Sequence, residues 1–372
     1  MTTPTPSASS TSTAPVEKAQ ALVWHGGSDF RMQEVAIPAL QEGETLVEIT
    51  TATICGSDRH TVLGRRSAPC PSVLGHEGVG VVRATRNPDL QVGQRVVFSV
   101  TAPCMECDRC ERGMTAKCRN LKKTGHEAFD SDWSLSGTYA SHIVLRNHQP
   151  VVVVPDSVPD VAASIATCAG ATVMACMEQA GSVSGKRVLV MGIGMLGLIA
   201  VEAAVRGGAA EVVAIDRDVT RLMWARELGA VVPAPSAAGD DAEPAPFDVS
   251  LEFSGSEIGV TTCIGSLDIG GRAVLAGSVA TSPSYALDPE WLVRGWRTIT
   301  GVHNYEPRHL EQAVEFLAES QIDWDTVVSE PIALEDVPAE VESTIGAFFE
   351  SHAMSRLTRQ LDSQRYQNDT HH

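Results

Sequence analysis

Four cysteines, Cys104, Cys107, Cys110 and Cys118, are spaced C-x2-C-x2-C-x7-C. Gaps of two residues let a backbone turn aim successive thiolates at one tetrahedral centre, as a closed structural zinc site requires. A disulfide pair is one alternative, disfavoured in a chain that shows no secretion signal. An iron–sulfur cluster is another, because such clusters use runs of similar spacing. A second set of donors is dispersed. Cys55 lies in ICGSDRH, followed by Ser57, Asp58 and His60, while His76 and Glu77 lie in VLGHEGVG. A thiolate, an imidazole and a carboxylate need one more soft ligand to make an open site of the Cys2His type, with a position left for water or substrate. Cys168, in SIATCAGATVMA, is the candidate. Cys70, Cys176 and Cys263 are expected to be buried, inert thiols, and His25, His142, His148, His303 and His309 are not expected to be ligands.

The middle of the chain carries a cofactor pattern. KRVLVMGIGMLGLIAVEAAVRGGA reads as an apolar strand, a glycine turn and a helix. Gly192 suits the tight turn, Gly194 permits close approach of a pyrophosphate, and Gly197 lets the helix pack on the strand. Met195 and Leu196 open the helix, whose N-terminus would face the phosphates. Asp216 closes the next strand, EVVAID, about 20 residues later, where an acid takes ribose hydroxyls. An acid there favours NAD over NADP, against the opposing pull of Arg217 and Arg221.

These groups must be positioned by a chain of 372 residues with a formal net charge of −18. That length suits two domains, and 43% hydrophobic residues can supply their cores. The acidic balance argues against nucleic-acid partners and against attraction to anionic membranes. The Ser/Thr/Pro-rich start, residues 1–15, is expected to be a disordered tail rather than a signal peptide. The chain is therefore read as soluble and cytoplasmic. Val188–Val205 is apolar enough to suggest a membrane span, but its glycines favour a strand–turn–helix. From about residue 158 onward, strands and helices alternate and predict a parallel sheet covered on both faces. Before that, short apolar runs between turn residues predict an irregular β-rich lobe.

ICGSD, LGHEGVG, the four-cysteine lobe, TCAGATV and GIGMLG occur in this order, and the chain resembles the zinc-dependent medium-chain dehydrogenases. The resemblance implies an α/β protein. A GroES-like catalytic domain would span 16–157, with its structural zinc lobe at 103–119. A Rossmann domain, a doubly wound parallel sheet, would follow at 158–300, and the chain would return to the catalytic domain over 301–372. The resemblance also implies two zinc ions per chain, NAD(H), and a homodimer or tetramer. It assigns the catalytic zinc to Cys55, His76 and Cys168, with Glu77 as the carboxylate that can exchange onto the metal. Ser57 and His60 match the proton relay, and Asp58 matches the acid beside it. The expected activity is interconversion of an alcohol with its aldehyde or ketone. Family members end on a short strand, whereas FFESHAMSRLTRQLDSQRYQNDTHH shows no obvious one, so the end is expected to be frayed or differently placed.

The runs SDRHTVLGRRSAPCPSVLGHE, LKKTGHEAFDSDWSLSGTYASH and TCAGATVMACMEQAG look like a subgroup associated with phosphonate catabolism. An anionic substrate needs fixed cations near the cleft. Arg59, Arg65, Arg66, Lys122 and Lys123 are the candidates, with His126 of the second GHE as a pocket residue. A solvated surface position is the alternative for each cation. A phosphorylated polyol or cyclitol, or a neutral alcohol, is the alternative substrate.

Overall fold

The computed structural model describes residues 17–233, 245–279, 284–346 and 354–358. The expected N-terminal tail lies outside the described residues.

Thr45–Thr53 is the central strand of the β-rich part. It runs antiparallel to Glu77–Thr85 on one side and pairs with His142–Leu145 through Thr45–Glu48 on the other. The seven-stranded sheet continues through Arg95–Phe98 to Val151–Val153. A smaller sheet, Phe30–Ala36 with Lys18–Trp24 and Ser72–Val73, packs with it around Leu22, Val47, Ile54, Leu74 and Phe98. The chain end differs from expectation. Met354–Thr358 is a strand, antiparallel to Thr51–Thr53 and parallel to Val328–Ile332. Thr51–Thr53 would otherwise leave backbone donors and acceptors unpaired, and the returning segment takes up those groups.

The second part is a five-stranded parallel sheet in the order Glu211–Ile215, Arg187–Met191, Phe247–Glu252, Leu267–Leu275, Thr298–Gly301. Its central strands are buried almost throughout, because helices such as Met195–Arg206 and Glu257–Gly265 cover them. Val188–Val205 is accordingly divided between a core strand and a core helix. Among the described residues, the one helical run long and apolar enough to cross a bilayer is Asp160–Ala180, and 72% of its most apolar 18-residue window is buried inside the protein. Val79 and Val97 of the β-rich sheet share one buried cluster with Ile165 and Val173 of this run and with Val190 and Leu198 of the second part, so the run ties the two parts together.

The sheet register brings the dispersed donors into contact. Thr53 is paired with Glu77. Cys55, two residues beyond Thr53, therefore emerges beside His76, one residue before Glu77. Gly75 makes the sharp entry to that strand at φ +85°, and a Cβ there would meet Thr138 Oγ1 at 2.4 Å. Only glycine fits this position. Cys168 arrives from the opposite direction, on the wider π-type turn Ala166–Gly170 inside the long helical run. Such turns often mark functional sites because they displace one side chain from the helical lattice.

Candidate active site and metal centres

Cys55, His76, Glu77 and Cys168 each offer a donor atom, and these atoms lie within 4.8 Å of one another. Cys168 hydrogen-bonds Cys55 and holds the Cys55 thiol well below its ordinary range. Asp58 is buried behind this group. It stands 3.2 Å from His76 Nδ1, accepts the Cys55 N–H at 3.2 Å and accepts the Tyr139 hydroxyl at 3.1 Å. A carboxylate beside Nδ1 keeps a hydrogen on that nitrogen and turns the Nε2 lone pair toward the cluster. Glu77 accepts the Thr53 hydroxyl at 2.5 Å. Two thiols, an imidazole and a carboxylate with such support fit zinc, with sulfur and nitrogen as primary donors.

Ser57 Oγ lies 3.3 Å from His76 Nε2. Ser57 and His60 are three residues apart on the helix Gly56–Val62, hence on one face. Burial, then the charges of Arg65 and Arg66, lower the affinity of His60 for a proton. Its Nδ1 is buried without a hydrogen-bond partner among the described residues.

These groups share a cavity of about 420 Å³ with the glycine turn. Ile193, Gly194, Met195, Leu196 and Arg221 line its other end. Gly192 has φ +87°, and a Cβ on Gly197 would meet the Gly192 carbonyl oxygen at 2.0 Å, so the turn and helix start are closely apposed. Asp216 Oδ2 accepts the Ile193 N–H at 2.5 Å, and Oδ1 accepts the Asp218 N–H at 2.9 Å. The loop–strand junction is thus shaped to cradle a dinucleotide.

The four-cysteine lobe forms a separate cluster. Sulfur–sulfur distances are 3.3 Å for Cys104–Cys118, 3.6 Å for Cys107–Cys110 and 3.9 Å for Cys107–Cys118. A disulfide needs about 2.0 Å, whereas thiolates at about 2.3 Å from zinc stand about 3.8 Å apart. All nine cysteines are free thiols. Backbone N–H groups, led by that of Arg119, hold Cys107 down to about 6. Burial pushes Cys110 up to about 12. A bound cation would stabilise all four thiolates.

Not every sequence candidate reaches the cavity. Arg59, Arg66, Lys123 and His126 line it. Lys122 is instead held by Asp132 at 2.6 Å, because the short strand Lys122–Lys123 turns successive side chains to opposite sides. Arg65 is absent from the lining and exposed. Asp58 stands behind His76 rather than on the wall, which makes it a positioning residue. Arg217 and Asp216 also lie off the cavity wall. Cys176 and Cys263 are buried, but Cys70 is exposed because its loop carries it on the surface. His303, considered in the sequence only as a non-ligand, and Asn304 and Tyr305, not considered there, complete the wall after the last strand of the parallel sheet. Their only sequence signal was their position just beyond a predicted parallel strand, where such sheets bind ligands.

This fold and site define a zinc-binding, nicotinamide-linked dehydrogenase. Residues 41–156 match the alcohol dehydrogenase GroES-like domain, and residues 196–319 match the zinc-binding dehydrogenase domain. L-idonate 5-dehydrogenase (NAD(P)(+)) of Escherichia coli is 31% identical over 256 residues, covering 66% of this chain and 73% of that protein. L-threonine 3-dehydrogenase of Mesorhizobium japonicum is 28% identical over 318 residues, covering 82% and 89%. The alcohol dehydrogenase of Thermotoga maritima has the same fold, with a TM-score of 0.80 at 25% identity over 92% of this chain and 99% of that one. The chain belongs to the zinc-dependent medium-chain alcohol dehydrogenase family and is an oxidoreductase acting on CH–OH groups.

Two zinc ions per chain are expected by elemental analysis. Cys110→Ser should remove one and Cys168→Ser the other, each leaving about half the metal. Iron in place of zinc, or loss of both ions from either variant, would contradict two independent sites.

Proposed function

We propose that this enzyme oxidises a small anionic alcohol with NAD, or reduces the corresponding carbonyl. The observation that carries the reading is the sharing of one cavity by Cys55, Ser57, His76 and Cys168 with the glycine turn at Gly194. In this reading Cys55, His76 and Cys168 would hold the catalytic zinc, with Glu77 as the neighbouring carboxylate available to it. Cys104, Cys107, Cys110 and Cys118 hold the second. The zinc supplies Lewis-acid polarisation of the substrate oxygen, and the nicotinamide supplies the hydride acceptor. Ser57 Oγ receives the proton of the substrate hydroxyl, and His60, neutral near pH 7, takes it onward. Asp58 fixes the His76 ring.

Gly192, Gly194, Met195, Leu196 and Gly197 cradle the pyrophosphate, and Asp216 addresses the ribose. An acid at that position repels a 2′-phosphate, which favours NAD, while Arg217 and Arg221 moderate the preference. Two observations support an anionic substrate. Arg59, Arg66 and Lys123 line the cavity of a chain with net charge −18. Two of the relatives are named for alcohols that carry a carboxylate, threonine and idonate. A phosphonate-bearing alcohol is our leading substrate. A phosphorylated polyol or cyclitol comes second and a neutral secondary alcohol third.

We place the enzyme in the cytoplasm, where its thiols stay reduced. We also propose a homodimer formed along the open edge of Thr298–Gly301. The adjoining Trp296 is 85% exposed, an unusual position for so large an apolar ring.

Ser57→Ala should lower kcat by about 10²-fold while NAD binding, read by fluorescence titration, is retained. Full turnover in that variant would refute the relay. Asp216→Gly should weaken NAD about tenfold and narrow its lead over NADP. An unchanged ratio would remove the ribose role. Light scattering at micromolar concentration should give twice the 39.5 kDa chain mass. A monomer would contradict the edge pairing, and a tetramer would require a second interface.

A further inference from the structure

One wall of the cleft carries positive charge that the transfer of hydride and proton does not use. Arg66 follows the helix Gly56–Val62, Lys123 lies in the short strand Lys122–Lys123, and His303 follows Thr298–Gly301. Three remote segments thus converge on the cavity that holds Cys55, Ser57 and Cys168. Among the described residues neither Arg66 nor Lys123 makes an ion pair. Two acids whose charges reach Lys123 and Lys117 are already engaged. Glu127 accepts the Lys123 N–H at 2.8 Å, and Glu306 accepts the Thr115 and Ala116 N–H groups at 3.0 and 3.1 Å.

A fourth residue arrives from the cysteine lobe. Lys117 Nζ donates to His303 Nδ1 at 2.9 Å. That bond fixes the tautomer: Nδ1 accepts, so Nε2 carries the hydrogen and becomes a donor. Burial, followed by the charges of Lys117, Lys123 and Arg66, pulls His303 down to about 4, so the ring is neutral near pH 7. Burial, followed by the neighbouring Arg66 and Lys117, likewise lowers Lys123. Cations gathered in a partly buried wall repel one another, and a bound anion relieves that repulsion.

We infer that Arg66, Lys123 and the Nε2–H of His303 form a subsite for a dianionic tetrahedral group on the substrate, a phosphonate or phosphate monoester. Lys117 is a positioning residue that orients His303. The inference rests on the dehydrogenase reading above and names its substrate's second handle. Two full cations and a neutral donor match a dianion with three oxygens better than a carboxylate with one charge and two oxygens. The cavity of about 420 Å³ must also admit the nicotinamide, so only a short carbon chain can separate the anion from the reacting hydroxyl.

The test uses the full zinc-loaded chain with NAD. Methylphosphonate is titrated calorimetrically, with acetate as the comparison anion. 2-Hydroxyethylphosphonate and propan-1-ol are assayed as a matched pair. Wild type should bind methylphosphonate more tightly than acetate and prefer the phosphonate alcohol. Arg66→Gln, Lys123→Gln and His303→Leu should each weaken methylphosphonate binding and reduce the phosphonate-to-propanol ratio of kcat/KM by about tenfold or more. Lys117→Met should raise KM for the phosphonate alcohol, and Lys117→Arg should restore it. Melting temperature and NADH fluorescence check folding. If Arg66→Gln is unstable, Arg66→Lys replaces it and should retain binding in part. Methylphosphonate binding that is absent from wild type, or equal in wild type and variants, overturns the subsite. Acetate binding as tight as methylphosphonate overturns the dianion assignment. Failure of the dehydrogenase reading shows separately, as no NAD-linked turnover of either alcohol, because the titration does not depend on turnover.

Discussion

A single buried carboxylate, Asp58, fixes the geometry of the cleft. It meets the His76 ring, the Cys55 backbone and the Tyr139 hydroxyl, all within 3.2 Å. A buried carboxylate is costly unless its oxygens are satisfied. Burial alone would raise its affinity for a proton, but the His76 ring and the Tyr139 hydroxyl beside it outweigh that and hold its carboxyl below the usual range. Its cost is thus offset by an arrangement that also orients one donor ring and anchors the backbone of a donor thiol. The register between Thr45–Thr53 and Glu77–Thr85 brings Cys55 and His76 together, and Asp58 sets the ring's orientation.

The cysteine lobe is more than a remote stabiliser. Its short turn Thr115–Lys117 offers donors to the Glu306 carboxylate and a lysine to His303. Both acceptors belong to the segment that forms the cleft wall after the parallel sheet. Folding of the lobe around its own metal would therefore define where that wall stands. This arrangement links the cysteine lobe to the cleft wall through side chains and backbone rather than through the four thiols themselves.

Much of this was legible in the sequence, for identifiable reasons. Cysteine spacing and the glycine fingerprint act locally, so Cys104–Cys118 and Gly192–Gly197 could be read directly. The cleft donors are far apart in sequence, and residue type combined with family likeness connected Cys55, His76 and Cys168. Asp58 was legible as a member of the motif, but its place behind His76 needed coordinates. The terminal strand Met354–Thr358 was missed because a five-residue segment among polar neighbours has no periodicity to detect; its partner strands define it. The side of the chain on which Lys122 and Lys123 point, and the convergence of His303 with Arg66, depend on tertiary packing and leave no local trace.

Cys55, His76 and Cys168 are expected to bind a metal distinct from that of the cysteine lobe. X-ray absorption at the zinc edge of the fully loaded protein tests it most directly. A closed four-sulfur centre averaged with an open two-sulfur centre predicts about three sulfur neighbours per zinc at ~2.3 Å and about one nitrogen or oxygen neighbour at ~2.0 Å. Four sulfur neighbours per zinc, with no nitrogen or oxygen shell, would place all the metal in the lobe and contradict the account.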